Sequence, residues 1–229
     1  MRAQHERQVI VDLCQLLAGQ GYLAATGGNV ALRVDAVHFA VTPSAMDYYS
    51  MSAADVSILR LDNLRQIEGD RAPSVESGLH ARMLNVRTDA KCTVHTHQPV
   101  ASACALLGQE LEVTEPEQRA LLGVRVAIAG YAPSGTGWLS SKVAKAFRPY
   151  INAYLMRNHG VICCGRDAKT AARAVATLEV LSARHLQELI LARAEAEPTR
   201  REVLREIAGV LAANSPGQRR QNLRGPLSC

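Results

Sequence analysis

Two short segments of alternating polar and apolar residues near the amino terminus constrain the fold more than any other feature. Residues 29–34 read NVALRV and residues 37–42 read VHFAVT, with only Asp35 and Ala36 between them. Alternation with a period of two is typical of strands that bury one face, and so short a connection is typical of a hairpin. The sequence therefore predicts an antiparallel sheet at the start of the chain.

Helical and extended patterns follow one another irregularly along the rest of the chain, without steady strand–helix–strand alternation. Further strands are predicted at 57–62, up to His97, at 124–132, and in two halves around a turn at 153–164. Helices are predicted at 4–17, 52–56, 74–86 with Ser74 as the cap, 99–107, 136–150, 167–194 and 200–212. These patterns favour a three-layer α/β/α fold with a largely antiparallel central sheet.

The composition is that of an ordinary globular protein with one large core. With 229 residues, 48% of them hydrophobic, we expect one domain over residues 1–213 and a polar, mobile tail over 214–229. The tail is rich in arginine, but aromatic residues are few and no nucleic-acid-binding module is recognisable, so nucleic acid is not expected as a partner. No segment resembles a membrane span or a secretory signal, and we expect a cytoplasmic protein without membrane association.

Histidines provide the first indication of chemistry. His95 and His97 end a predicted strand, where residues two apart point to the same face and can bind one cation together. The same pair is also typical of a strand that emerges into water. His159, in a turn before Gly160, is the candidate third ligand, although a turn histidine bonded to its own loop fits this pattern too. The other histidines are interpreted as surface or packing residues: His5, His38, His80 and His185.

Glu76 and a glycine turn could complete such a site. In the predicted first turn after Ser74, the helix dipole favours an ionised carboxylate, which beside a divalent cation could accept a proton from a substrate. Such glutamates also occur simply as helix-stabilising residues. The turn ATGGNV at 25–30 could hold an anion through its N–H groups, or could only lead into the hairpin. A dinucleotide site is excluded, because no G-x-G-x-x-G motif joins a strand to a helix.

Four motifs taken together resemble a known family: TGGNVALRV, VTPSAMDYYSMSAADVSIL, PSVESGLHARMLNVRTDAKCTVHTH and NHGVICCGRD. In this order they are similar to the class II aldolase/adducin family over residues 5–190. The resemblance implies that His95, His97 and His159 bind a divalent metal, often zinc, with Glu76 as the acid/base beside it. Imidazole ligands also suit manganese, cobalt and iron. The resemblance further implies a homotetramer about a fourfold axis, with active sites between subunits.

The residues that would bind the substrate depart from the family pattern. Sugar-phosphate aldolases of this family hold the phosphate with GN, TPTG or TPSG, and PSSE segments. This chain has Gly28-Asn29, Thr42-Pro43-Ser44-Ala45 and Pro73-Ser74-Val75-Glu76. Gly28, Asn29, Ser44 and Ser74 remain as substrate-binding candidates. Valine in place of a hydroxyl donor should cost about 1.5–3 kcal/mol of phosphate binding, which favours a substrate without phosphate.

A second departure concerns the leaving group. The fuculose-phosphate aldolases supply a tyrosine from a neighbouring subunit to protonate it, and an ungapped comparison places Pro116 at that position. Glu115 and Glu117 flank this proline, and either could contact the substrate instead.

We therefore expect a metal-dependent carbon–carbon lyase acting on a small hydroxy-carbonyl or hydroxy-carboxylate substrate through a metal-stabilised enediolate. Aldol cleavage and decarboxylation both remain open, since they use the same electron sink. One alternative is a sugar-phosphate aldolase or epimerase. Outside enzymes, the alternative is an adducin-like assembly module.

Overall fold

The computed structural model of the protein describes residues 1–24, 27–133 and 136–214. The helices are α1 (Gln4–Gly19), α2 (Ser77–Val86), α3 (Pro99–Leu107), α4 (Pro116–Leu122), α5 (Gly137–Ala144), α6 (Ala168–Ala196) and α7 (Arg201–Ala213). The strands are β1 (Asn29–Arg33), β2 (His38–Val41), β3 (Ser57–Arg60), β4 (Gln66–Glu68), β5 (Cys92–Thr96), β6 (Leu111–Glu112), β7 (Arg125–Ala129), β8 (Ala153–Met156) and β9 (Gly160–Gly165).

The strands of the described residues form one sheet in the order β4-β3-β2-β1-β5-β9-β8-β7-β6. Neighbouring strands are antiparallel except β7 and β8, which run parallel. The predicted hairpin is β1–β2, in which Ala31 lies opposite Val41. The prediction of a largely antiparallel sheet is therefore confirmed.

Helices cover both faces of the sheet. On β8 and β9, Leu155 and Cys163 enter a core shared with α1, α3 and α6. The alternate residues Tyr154 and Ile162 enter a separate core with α2 and α5. Strands buried on both faces are apolar nearly throughout, which explains the continuous apolar run of β9. The predicted three layers are thus present.

The central strands bring distant segments of the chain into register. Asn29 of β1 lies opposite His95 of β5, and Thr96 of β5 lies opposite Val161 of β9. Since β5 and β9 are antiparallel, the end of β5 and the start of β9 meet at one edge of the sheet. Residues that follow β5 and precede β9 therefore become neighbours.

The predicted helix at 52–56 is wrong, because these residues form a turn. The backbone N–H and the hydroxyl of Ser52 both donate to Asp55, and the guanidinium of Arg7 donates to the carbonyl of Val56. Side chains thus take the backbone groups that a helix would need. Strands β4 and β6 were not predicted, because two or three residues are too few to show a period.

Among the described residues, none of the helices combines the length and the apolar composition needed to cross a lipid bilayer. Apart from Asn214, the predicted tail over 214–229 lies outside the described residues, and so do residues 25 and 26 of the predicted glycine turn.

Candidate active site

Three imidazole rings meet where β5 ends and β9 begins. The ring centroids of His95 and His97 are 4.7 Å apart, those of His95 and His159 are 4.9 Å apart, and those of His97 and His159 are 5.1 Å apart. One nitrogen from each ring lies within 4.8 Å of those of the other two. The fold therefore brings together the three histidines that were selected from the sequence.

The turn between β8 and β9 admits this arrangement because its backbone is unusual. Asn158 adopts a left-handed conformation with φ 56°, which asparagine tolerates better than most residues. A Cβ atom on Gly160 would lie 2.6 Å from Cδ2 of His97 and 3.2 Å from Cε1 of His95. Glycine is needed at this position because the rings approach the backbone so closely.

Gly160→Ala should therefore lower the affinity for a divalent metal by about 10–100-fold, since the added methyl group displaces two of the three rings. Titration with zinc, followed by calorimetry, measures the affinity. Gly137→Ala is the matched control, because a Cβ atom there meets nothing within 4 Å. Equal zinc affinity in the two variants would contradict this account.

Hydrogen bonds determine which nitrogen atoms face the centre of the histidine trio, that is, His95, His97 and His159. Nδ1 of His95 lies 2.8 Å from the carbonyl oxygen of Val161, which can only accept, so Nδ1 carries the proton and Nε2 presents a lone pair. That Nε2 lies 2.9 Å from Nε2 of His97 and 3.1 Å from Oε2 of Glu76. Nε2 of His159 is buried 3.1 Å from Oε1 of Glu76, yet it makes no hydrogen bond of good geometry within the described part of the chain.

This donor set fits a divalent cation. Imidazole nitrogens are ligands for zinc and its neighbours among the transition metals, and three of them with one open position are typical of catalytic sites. A double positive charge between them would also offset the repulsion between facing lone pairs and the carboxylate. Nε2 of His159, which makes no hydrogen bond of good geometry, would gain a ligand bond in the same way.

Glu76 lies at the start of α2 with its side chain buried against the histidines. The predicted cap at Ser74 is wrong: α2 begins at Ser77 with Glu76 as the N-cap residue, and the Ser74 hydroxyl accepts from the Glu76 N–H at 3.2 Å. Burial raises the pKa of Glu76, but contacts with His159, His95 and Asn29 outweigh burial and hold the pKa well below its usual range. These contacts thus hold Glu76 as an ionised carboxylate in this arrangement.

A buried polar chain connects Glu76 to the sheet, and the sequence interpretation missed two of its members, His80 and Thr93. Nδ2 of Asn29 donates to Oε2 of Glu76 at 2.9 Å, and Oδ1 of Asn29 lies 2.6 Å from Nε2 of His80. Nδ1 of His80 lies 2.7 Å from Oγ1 of Thr93. His80 is fully buried, although it was interpreted only as a surface or packing residue. Its position four residues after Glu76, on the same helix face, was the available signal.

The other predicted substrate residues lie on segments held side by side by backbone hydrogen bonds. The N–H of Ser74 donates to the carbonyl of Thr42, and the N–H of Ser44 donates to the carbonyl of Ala72, both at 2.9 Å. Ala45 keeps the left-handed backbone expected of a glycine, with φ 53°. The two hydrogen bonds hold the segment at 42–45 beside the segment at 72–74.

Gly28 lies directly behind the histidines. It has φ 86°, and a Cβ atom there would lie 2.6 Å from the carbonyl oxygen of His95. The hydroxyl of Tyr48 donates to the Gly28 carbonyl at 2.5 Å and holds the turn in place. Gly28 thus permits β1 to pack closely against β5.

Glu115 and Glu117 lie on the amino-terminal end of α4, outside the histidine trio. Glu115 is the N-cap residue and pairs with Arg184 at 3.6 Å. Glu117 lines an apolar groove of about 650 Å³ between α1, α4 and α6. Their predicted contact with a substrate bound by a neighbouring subunit stays a prediction.

Comparison with known proteins agrees with this geometry. A family model described as Class II Aldolase and Adducin N-terminal domain matches residues 8–186. The chain belongs to the class II aldolase and adducin family. This family assignment confirms the resemblance seen in the four sequence motifs.

Class II aldolase relatives with assigned activities match most of the chain. A 5-deoxy-D-ribulose 1-phosphate aldolase of Bacillus thuringiensis serovar kurstaki is 36% identical over 174 residues, covering 75% of this chain and 79% of the relative. A methylthioribulose-1-phosphate dehydratase of Yersinia pestis is 28% identical over 198 residues, covering 82% and 89%. A solved L-fuculose 1-phosphate aldolase superposes with a TM-score of 0.77 at 26% identity, covering 90% of this chain and 97% of that one. The chain is accordingly placed among the lyases of this family.

Proposed function

We propose that the protein is a metal-dependent aldolase that cleaves a small ketose 1-phosphate between C3 and C4, one bond removed from the C2 carbonyl group. The observation that carries this proposal is the convergence of His95, His97 and His159 on one point, with the ionised carboxylate of Glu76 beside it. The substrate class is supported by the relatives, whose names specify sugar 1-phosphates.

The proposed metal is zinc, with manganese, cobalt and iron as alternatives that the same ligands accept. When bound, such a cation supplies a Lewis acid that stabilises the negative charge developing on the substrate as the carbon–carbon bond breaks. The three histidines hold the cation, and the hydrogen bond from His95 to the Val161 carbonyl keeps its ring turned towards the centre.

Glu76 performs the proton transfers in this proposal. Its carboxylate accepts the proton of the substrate hydroxyl group on the carbon that becomes the aldehyde, while the bond between this carbon and its neighbour breaks. The electron pair of that bond passes towards the carbonyl of the other fragment. Glu76 then returns the proton to the carbon atom of that fragment, so that dihydroxyacetone phosphate and an aldehyde leave.

The direct test is an assay of the purified protein with added zinc. Candidate substrates are 5-deoxyribulose 1-phosphate, fuculose 1-phosphate and methylthioribulose 1-phosphate, each beside its unphosphorylated form. Release of the aldehyde, which is the same product with and without the phosphate, is coupled to oxidation of NADH by an alcohol dehydrogenase and reports aldol cleavage of both forms. Loss of water from the substrate without cleavage would favour a dehydratase, and turnover of none of these compounds would refute the proposal.

A second candidate is cleavage or decarboxylation of a hydroxy-carbonyl or hydroxy-carboxylate compound without phosphate. The observation that favours it is Val75, which is 67% exposed and lines a cavity of about 140 Å³ together with Glu76. Val75 replaces the second serine of the PSSE segment, and its apolar side chain cannot donate a hydrogen bond to a phosphate. The same assay decides whether cleavage needs the phosphate, because each compound is tested with and without it, and release of carbon dioxide from small hydroxy-carboxylates tests decarboxylation.

Val75→Ser is expected to lower KM for a phosphorylated ketose by about tenfold, since a hydrogen bond to a charged group contributes about 1.5–3 kcal/mol. KM for the unphosphorylated compound should not change. Val75→Ala is the control that removes the bulk of valine without adding a donor. A similar gain in Val75→Ala would assign the effect to space rather than to the hydroxyl group.

We further propose that residues 1–213 act as one domain and that four copies assemble with active sites between them. In this arrangement Glu115 or Glu117 of a neighbouring copy reaches the substrate. Light scattering after gel filtration measures the assembly, and an active monomer would exclude it.

A further inference from the structure

We propose that His80 is a positioning residue, which holds the Glu76 carboxylate in its reactive orientation by fixing the side-chain amide of Asn29. The inference rests on the proposed role of Glu76 as the base. His80 is buried and is not one of the three histidines that meet at the site. Among the described residues, its hydrogen bonds go to Asn29 and Thr93 and not to His95, His97 or His159.

The direction of each hydrogen bond follows from the side-chain amide of Asn29. Nδ2 of Asn29, which can only donate, lies 2.9 Å from Oε2 of Glu76, and Oδ1 of Asn29 faces Nε2 of His80 at 2.6 Å. Oδ1 can only accept, so Nε2 of His80 carries the proton. Nδ1 of the neutral ring is then the acceptor for the hydroxyl of Thr93. Each member of the chain has one possible orientation.

The far end of this chain is anchored on β5, the strand that carries His95. Thr93 is on β5, two residues before His95, and Asn29 lies opposite His95 across β1 and β5. His80 and Thr93 are fully buried, and Asn29 is nearly so. Breaking one of these bonds would leave a buried polar group without a partner, which makes the chain rigid. The base is thus tied to the same strand as the first proposed metal ligand.

Without a donor at position 80, the amide of Asn29 loses its preferred orientation. If the amide turns over, Oδ1 faces the carboxylate and repels it. Small displacements of a catalytic group reduce kcat strongly, whereas substrate affinity depends less on them. The effect of losing His80 should therefore fall on kcat.

The kinetic test compares His80→Leu, His80→Gln and Met83→Ala in the zinc-loaded protein. His80→Leu is expected to lower kcat by about 10–100-fold with KM within about threefold and one zinc per chain retained. In His80→Gln the side-chain amide can still donate to Asn29, and kcat should recover to within about fivefold of the original protein. Met83→Ala truncates another fully buried side chain of α2 and should keep kcat although its melting temperature falls.

Three kinetic outcomes would overturn the inference. They are an unchanged kcat in His80→Leu, a His80→Gln variant no better than His80→Leu, or a loss of activity in His80→Leu that matches a loss of zinc. If His80→Leu does not fold, the comparison of His80→Gln with Met83→Ala still decides: a kcat of His80→Gln far below that of Met83→Ala overturns the inference.

A crystallographic comparison separates this inference from the proposed function. In zinc-loaded His80→Leu, or in His80→Gln if the leucine variant does not crystallise, the positions of Asn29 and Glu76 are compared with those of the original protein. A displaced Glu76 carboxylate that has lost its 2.9 Å contact with Asn29 in His80→Leu, or an unmoved one that keeps this contact in His80→Gln, supports the inference even if no ketose phosphate is cleaved. An unmoved Glu76 in His80→Leu, or a displaced one in His80→Gln, overturns it whatever the substrate.

Discussion

His159→Ala is expected to abolish stoichiometric metal binding and to lower kcat/KM by about 10³-fold or more. His159 is the proposed ligand from the turn before β9, so the variant keeps only His95 at the end of β5 and His97 directly after it. Two neutral imidazoles bind a divalent cation too weakly to hold it during dialysis. Loss of the Lewis acid removes several kcal/mol of stabilisation of the developing charge, and each 1.4 kcal/mol corresponds to tenfold in rate.

Mass spectrometry of the dialysed protein measures metal per chain, and the cleavage assay measures the rate. His38→Ala is the matched control, since His38 pairs with Asp35 at 2.8 Å on the far side of the hairpin and should affect neither quantity. Retention of both metal and activity in His159→Ala would remove the basis of the proposed chemistry.

Glu76→Gln is expected to lower kcat by about 10²–10⁴-fold while the metal content stays unchanged. Glutamine has nearly the shape of glutamate and can still accept the hydrogen bond from Asn29, but it cannot take up the substrate proton at neutral pH. The three proposed metal ligands keep their own side chains in this variant. The variant therefore separates proton transfer from metal binding, which His159→Ala does not.

The control for this experiment is Glu68→Gln. Glu68 is on strand β4 and pairs with Arg7 at 3.1 Å. It has no contact with His95, His97 or His159, so Glu68→Gln should keep kcat within about twofold. A kcat for Glu76→Gln within tenfold of the original protein would mean that another group moves the proton. The same steady-state assay, with zinc content measured on the same samples, decides between these outcomes.

Much of the fold was predictable because it follows from local patterns. The hairpin of β1 and β2, the helix α3 after Pro99 and the long helix α6 with Asp167 as its N-cap were all expected from period, proline and capping residues. The turn at 52–56 was predicted wrongly, because a guanidinium from α1 competes for its carbonyl groups. Such competition comes from a residue distant in sequence and leaves no trace in the local pattern.

In the candidate site, too, some features follow from the local sequence and others depend on the tertiary structure. That His95 and His97 share one face, and that a turn before Gly160 can present His159, are consequences of strand geometry and of glycine's small size, so the sequence alone determined them. Only the tertiary structure decided that Val161, 66 residues beyond His95, accepts its Nδ1 proton, and that His80 supports Glu76 through Asn29. Those contacts depend on the order of β1, β5 and β9 in the sheet, because strand pairing between distant segments determines which polar groups become neighbours once water is excluded.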